Sequence, residues 1–169
     1  MVIDLPDLFT ATKTLSDLHA GWVERDSDNL VFVSPLDIDA VTVQGLRLRI
    51  TARSSLPDEA VTAQIEYHGL RGRYGPLCRL EWRPITGHSN KGIGPPEFRH
   101  RLLTGSHHHS FGLNWQYAAS AVRRGNLPVA VPVNPDPPDY RAALALAATE
   151  FRIGDLGSIP VPPWQPKIL

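Results

Sequence analysis

The sequence predicts an α+β domain, with a four- to five-stranded antiparallel sheet that is apolar on one face and covered there by an N-terminal and a late helix. Two observations carry this. Residues 43–53, 60–68 and 76–83 alternate apolar and polar side chains with the period of a strand and are joined by short connections. Segments near each end carry apolar residues at helical spacing instead. A chain of 169 residues can bury one core and is too short to suggest two. Residues 1–158 therefore read as one domain, with 159–169 as a proline-rich tail on its surface.

Taken in order, residues 4–22 read as an amphipathic helix. Asp4 stands at the cap, Pro6 lies in the first turn, and Leu5, Leu8, Phe9, Leu15, Leu18 and Trp22 form one face up to Gly21. An acidic loop (Glu24, Asp26, Asp28) leads to a short strand at 30–33. In the hairpin that follows, Leu46, Leu48, Ile50 and Ala52 pair with Val61, Ala63, Ile65 and Tyr67 on the apolar side. Arg47, Arg49, Gln64, Glu66 and His68 point the other way. Residues 69–75 form a basic glycine loop, without the spacing of a dinucleotide fingerprint or a following helix. Cys78, Leu80 and Trp82 alternate with Arg79, Glu81 and Arg83 in the next strand, which makes Cys78 a packing residue.

Residues 107–115 alternate once more. This places His107, His109, Phe111, Leu113 and Trp115 on one strand face, and His108, Ser110 and Asn114 on the other. The late helix, 137–152, has Asp136 as cap, Pro137 at its start, Gly154 as its stop, and Ala143, Leu144, Ala147 and Phe151 as its buried stripe.

Composition bounds the function. No apolar run approaches the roughly 18 residues of a membrane span, the first residues lack a signal-peptide pattern, and the lone Cys78 excludes an internal disulfide. A cytoplasmic protein without a membrane partner is the expectation. The formal net charge of zero hides a gradient: residues 1–40 carry eight acids and two bases, residues 41–125 twelve bases and five acids. A basic middle is compatible with a nucleic-acid partner.

Chemistry concentrates in residues 87–115, which hold five of the seven histidines: His88, His100, His107, His108 and His109. His107 and His109 project to the same side of a strand, a spacing that suits Zn, Fe, Mn or Ni, with His88, His100, Glu66 or Glu81 to complete the shell. A second reading is acid–base catalysis without metal. There a histidine acts beside arginines that stabilise charge on the phosphorus of RNA, whose 2′-hydroxyl is the internal nucleophile. A third is a solvated polar sheet face that binds nucleic acid or protein, with structural histidines. The candidate catalytic residues are His88, His107, His109 and Glu81; the candidate substrate-binding residues are Arg79, Arg83, Asn90 and Asn114. His107 and His109 are the candidate ligands of a divalent transition metal.

The strand Arg79-Leu-Glu-Trp, the loop His88-x-Asn90-x-Gly92, the start His107-x-His109 and the late helix ending Phe151-Arg-Ile resemble small bacterial mobile-element and prophage domains, the TumE-like toxins among them. Their pattern is an Arg-x-Asp strand, a His-x-Asn-Pro-x-Gly loop and a His-x-His strand start. The likeness spans roughly residues 76–153. Glu81 replaces the Asp, Lys91 stands where proline is usual, and residues 93–106 form an enlarged loop with Arg99, His100 and Arg101. The resemblance implies a toxin-like role in a mobile element or phage, an RNA substrate or a cognate bacterial or phage protein as partner, and Arg79, Glu81, His88, Asn90, His107 and His109 as the matching positions.

Overall fold

The computed structural model describes residues 4–70, 72–154 and 156–166. They form an α+β structure in which the three long strands foreseen from alternation make the centre of a larger sheet. β3 (Asn29–Ile38), β4 (Val41–Arg53), β5 (Val61–Leu70) and β6 (Arg73–Trp82) run as an antiparallel meander. β1 (Thr14–Leu15) and β2 (Trp22–Glu24) pair with β3 at one edge. β9 (His107–His109) and β10 (Val131–Pro132) extend the sheet beyond β6. The main sheet thus has eight strands rather than four or five, and β7 (His88–Ser89) and β8 (Leu102–Leu103) form a separate small ladder. The extra strands have two or three residues each, too short for a period to show.

The hairpins are where turn chemistry places them. β3 and β4 meet at Asp39 and Ala40, both with positive φ (50° and 60°), the backbone of a tight two-residue connection. The basic glycine segment continues β5 and β6 towards their turn, where Gly72 adopts φ 68°. On the apolar face Leu46, Leu48, Ile50, Val61, Ala63, Ile65, Cys78, Leu80 and Trp82 are buried as expected. α3 (Tyr140–Phe151) lays Ala143, Leu144, Ala147 and Phe151 against them. Burial also pushes the Cys78 thiol far up, so it carries no thiolate chemistry.

Three expectations need correction. The N-terminal helix is only α1 (Leu5–Thr10), not 4–22. The Thr10 hydroxyl bonds back to the carbonyls of Pro6 and Asp7, Ala11 is extended, and Thr14 and Leu15 join the sheet. Leu18, placed on the apolar stripe by spacing, is 69% exposed. Lys13 is fully buried instead; its ammonium donates to the carbonyls of Phe9, Ala11 and Phe151 and fastens α1 to the end of α3.

The second correction concerns residues 107–115, where the strand stops at His109. Ser110 caps α2 (Phe111–Val122) by accepting from the Leu113 amide at 3.1 Å. The third is the cap of α3, which is Asp139, accepting from the Ala142 amide at 2.8 Å. Asp136 instead takes the Ser106 hydroxyl and Arg83.

The proline-rich residues 159–166 form neither helix nor strand, and the Trp164 amide turns back onto the Pro162 carbonyl at 2.7 Å. Trp22 Nε1 donates to the Pro160 carbonyl at 2.8 Å, and the Gln165 amide to the Ser54 carbonyl at 2.8 Å. Among the described residues no helix is long and apolar enough to cross a membrane.

At the β2–β3 edge Asp28 accepts from the Ser55 amide (2.9 Å), the Ser54 hydroxyl (3.2 Å) and Arg53 Nε (2.7 Å). These donors, those of Ser55 foremost, hold its carboxyl well below the usual range. A carboxyl depressed in the folded state stabilises it above the unfolded pKa of about 4, and that contribution is lost as pH falls. Asp28→Asn is expected to lower Tm at neutral pH and to flatten the decline of Tm below about pH 4, read by thermal melts across an acid series.

Candidate metal centre

The site is built by the pairing of β9 with β6. The register sets Arg79 opposite His109, Leu80 opposite His108, and Glu81 opposite His107. Partners across a ladder share a face, so His107 and His109 stand with Arg79 and Glu81 on the polar side. His108 turns to the apolar side, near the Phe151 ring (6.3 Å) and Glu150 (3.5 Å). This inverts the facing expected from sequence. Phe111, Leu113 and Trp115 belong to a helix, so their spacing says nothing about the face of His107 and His109.

His88 arrives from β7, carried by the loop that β7 and β8 fold back on itself. Ring centroids lie 4.5 Å apart for His88 and His109, 5.3 Å for His107 and His109, and 5.6 Å for His88 and His107. One ligand atom from each ring lies within 4.8 Å of those of the other two. Among the described residues this is the set of three that converges. His100 is exposed and Glu66 pairs with Arg47 at 2.6 Å, so neither completes the shell.

Backbone carbonyls orient each ring. His107 Nδ1 lies 2.9 Å from the Gly105 carbonyl, and His109 Nδ1 lies 2.9 Å from that of Leu127. A carbonyl only accepts, so both Nδ1 atoms carry the proton; the Nε2 of His109 is left with a lone pair, while that of His107 faces the Glu81 carboxylate, which favours a proton there. Both Nε2 atoms are buried, and that of His109 has no hydrogen-bond partner. His88 is tied the other way round: its Nε2 faces Asn90 Oδ1 and the Pro128 carbonyl, each at 3.0 Å, which leaves Nδ1 with the lone pair. Glu81 stands beside two of the three, with Oε2 3.2 Å from His107 Nε2 and Oε1 3.8 Å from His109 Nε2.

The electrostatics follow from these contacts. Contact with His107, foremost, holds the Glu81 carboxyl below its usual range. His107 itself is pulled down by burial but further up by Glu81 and the Gly105 carbonyl, for a net rise. His109 is pushed down by burial and by the neighbouring Arg79, so it is neutral. His108 is pushed down to about 4 by burial alone.

The carbonyls of Leu127 and Pro128 belong to a segment held by two fully buried asparagines. Asn114 donates to the Val129 carbonyl (2.8 Å) and accepts from its amide (2.9 Å). Asn90 does the same for Ala130 (2.9 and 2.8 Å). Gly94, at φ +97°, lets the enlarged loop close on this segment, since a Cβ there would meet Val129 Cγ1 at 2.7 Å.

Both asparagines thus use their side-chain amides on backbone; Asn114 is fully buried there, while Asn90 also meets the His88 ring and borders the cleft beside it. Arg83 is also redirected. It bonds Asp136 at 2.9 Å and the carbonyls of Pro137 and Pro138 at 3.2 Å, away from the histidines. Of the four, Arg79 and Asn90 line the cleft of about 250 Å³ that opens onto His88 and His109. A larger cleft, about 610 Å³, contains Arg83 and Asp136 but none of the three histidines. What sequence reasoning missed is the segment from Leu127 to Ala130, which contributes carbonyls rather than side chains and so leaves no motif.

Three imidazoles, one nitrogen of each within 4.8 Å of the others, with a carboxylate at the edge, suit a borderline transition metal such as zinc, iron or manganese. Anchoring each imidazole by its other nitrogen is the arrangement metal-binding histidines use. No known family, curated protein or solved structure matches the chain.

Asn114→Ala would leave the buried amide and carbonyl of Val129 unpaired, and a stability loss of about 1–3 kcal/mol or more is expected. Asn126→Ala, at an exposed neighbour, should stay within about 0.5 kcal/mol. Chemical denaturation of the two variants checks the contrast.

Proposed function

We propose that the chain is a metal-dependent ribonuclease in which His88, His107 and His109 hold a divalent transition-metal ion. The observation that carries the metal is the approach of one ring nitrogen each from His88, His107 and His109 to within 4.8 Å of one another, with the buried His109 Nε2 lacking a hydrogen-bond partner. A buried acceptor with no partner costs about 1–3 kcal/mol, and a cation held between the rings would remove that cost for His109. Such an ion would supply a Lewis acid for a phosphoryl oxygen.

Arg79 lies at the mouth of the cleft with a planar donor fork suited to a phosphate. The Glu81 carboxylate, charged at neutral pH, is placed to accept the proton of an attacking hydroxyl. On RNA the 2′-oxygen attacks the adjacent phosphorus, its proton passes to Glu81, and the bond from phosphorus to the 5′-oxygen breaks. That leaving oxygen takes a proton from water. The basic middle of the sequence and the motif resemblance to TumE-like toxins both favour RNA, and a toxin-like role in a mobile element belongs to the same proposal.

Metal analysis of the purified protein is expected to find about one transition-metal ion per chain. His107→Ala and His109→Ala should lose it while remaining folded. Asn90→Ala, which frees the His88 ring, should weaken metal affinity roughly 10- to 100-fold. End-labelled RNA should be cut by the wild type, spared in EDTA, and cut again when metal is restored. A protein that binds no metal and cuts no RNA with or without EDTA would sink this reading and leave a binding module with structural histidines.

A further inference from the structure

We infer that the polar face of the sheet is a phosphate track for single-stranded RNA, running from the histidine cleft across β6, β5 and β4 to Arg25. The RNA identity rests on the proposed function; the track itself rests on register, charge and openness.

Register comes first. His109 pairs with Arg79, Arg79 with Gln64, Gln64 with Arg49, and Arg49 with Val33. One row thus crosses five strands and begins at a candidate metal ligand. With neighbouring strands about 4.8 Å apart, Arg79 and Arg49 lie roughly 10 Å from one another, and His109 and Arg49 roughly 14 Å. Arg25 follows, sharing with Arg49, Asn29 and Thr51 a cleft of about 340 Å³ whose one carboxylate, Asp26, is turned onto the Asn29 side chain.

Charge comes second. Arg25, Arg47 and Arg79 all lie close enough to Arg49 to repel it, and with burial, the larger cause, they hold its guanidinium below the usual value. The compensating acid at this point is Glu66, which is mostly spent on Arg47 at 2.6 Å and reaches Arg49 at only 3.8 Å. Arg25 makes no side-chain hydrogen bond or ion pair among the described residues. Arg47 has Glu66 and Arg79 has Glu81, so Arg49, with three arginines around it and one long contact to Glu66, has the least counter-charge of these three, and an anion beside it would relieve the repulsion. The polyanion with charges at regular intervals is a nucleic-acid strand.

Openness comes third. α3 covers the other face of the sheet, while the Arg49 and Arg79 side chains keep 26% and 29% of their surface free. Beside the row, the Arg47 guanidinium stacks 3.4 Å over the Tyr74 ring, and Tyr74 is 41% exposed. That flat pair is a surface on which a base stacks. The cleft at the row's end, about 250 Å³, admits one strand and not a duplex.

The test is fluorescence anisotropy of a labelled oligouridylate of about 12 nucleotides, titrated with the full chain in EDTA between about 50 and 200 mM salt. Arg25→Gln and Arg49→Gln are each expected to weaken binding and to reduce the slope of log K against log salt by about 0.7. Arg49→Lys should keep the slope, and Arg152→Gln at the end of α3 should change nothing. Melts establish that each variant is folded.

Folded Gln variants that bind with the wild-type slope would overturn the track. So would an oligonucleotide that fails to bind at the lowest salt, which would hand this face to an acidic protein surface. Either result leaves the metal reading intact if hydrolysis of bis(p-nitrophenyl) phosphate still depends on His107. Tight, Arg49-dependent binding without any cleavage would instead sink the nuclease and keep the track.

Discussion

Everything at the candidate site depends on three residues of β9 pairing in one register with β6. That pairing decides which histidines meet Arg79 and Glu81 and which one turns into the core. A slip by one residue would send His108 to the polar face and bury His107 and His109 against Phe151, because side chains alternate strictly along a strand. β9 is too short to hold that register by its own ladder. The sheet must hold it from both sides, with β6 on one edge and β10 on the other, while Ser110 ends the strand by capping α2 one residue later. The Val133 amide, which donates to the Ser106 carbonyl at 2.9 Å, continues the β10 contact past the start of β9.

Around that pairing the protein spends backbone rather than side chains. Carbonyls of Gly105, Leu127 and Pro128 orient three imidazoles, and two buried asparagines hold the segment that supplies two of those carbonyls. A side-chain amide can donate and accept in one plane, so it can pair with a peptide's N–H and C=O as a neighbouring strand would. Asn114 does this for Val129 and Asn90 for Ala130, where the chain between α2 and β10 has no strand partner. The same two residues read from sequence as ligand-facing polar groups. Nothing local distinguishes an asparagine that meets solvent from one that replaces a β-ladder.

The parts of the fold legible in the sequence are those where a period repeats. Alternation over 43–53, 60–68 and 76–83 placed β4, β5 and β6 and their apolar faces. Helical spacing likewise placed α3 and its buried stripe of Ala143, Leu144, Ala147 and Phe151. Illegible were elements shorter than one period and segments whose period belonged to something else. Leu5 and Leu8 are buried and Leu15 is too, yet a helix and a strand supply them, so a helical spacing ran through a chain that had already turned. Likewise His107, His109, Phe111 and Leu113 alternate by coincidence across a strand end and a cap. Residue type singled out His88, His107, His109 and Glu81 as candidates, but only strand order brings them together, and Arg83 is taken by Asp136, a partner fifty-three positions away that no local pattern could name.

The polar face gains meaning when its hydrogen bonds are followed outward from the histidines. Glu81 faces Arg79, Arg79 Nε donates to Gln64 Oε1 at 2.9 Å, Gln64 donates to Glu66, and Glu66 takes Arg47. Acid, base, amide, acid and base succeed one another, so each half-buried charge has a partner of the right sense and the chain of dipoles reinforces itself. A surface built only for solubility would not bury Gln64 and Glu66, since each must be satisfied on a face that no helix covers. Arg49 breaks the sequence: it sits in the same row, faces three other arginines, and has only the far oxygen of Glu66. In a network otherwise so fully matched, one under-compensated guanidinium beside an open cleft is the place where a ligand's charge is missing from the account.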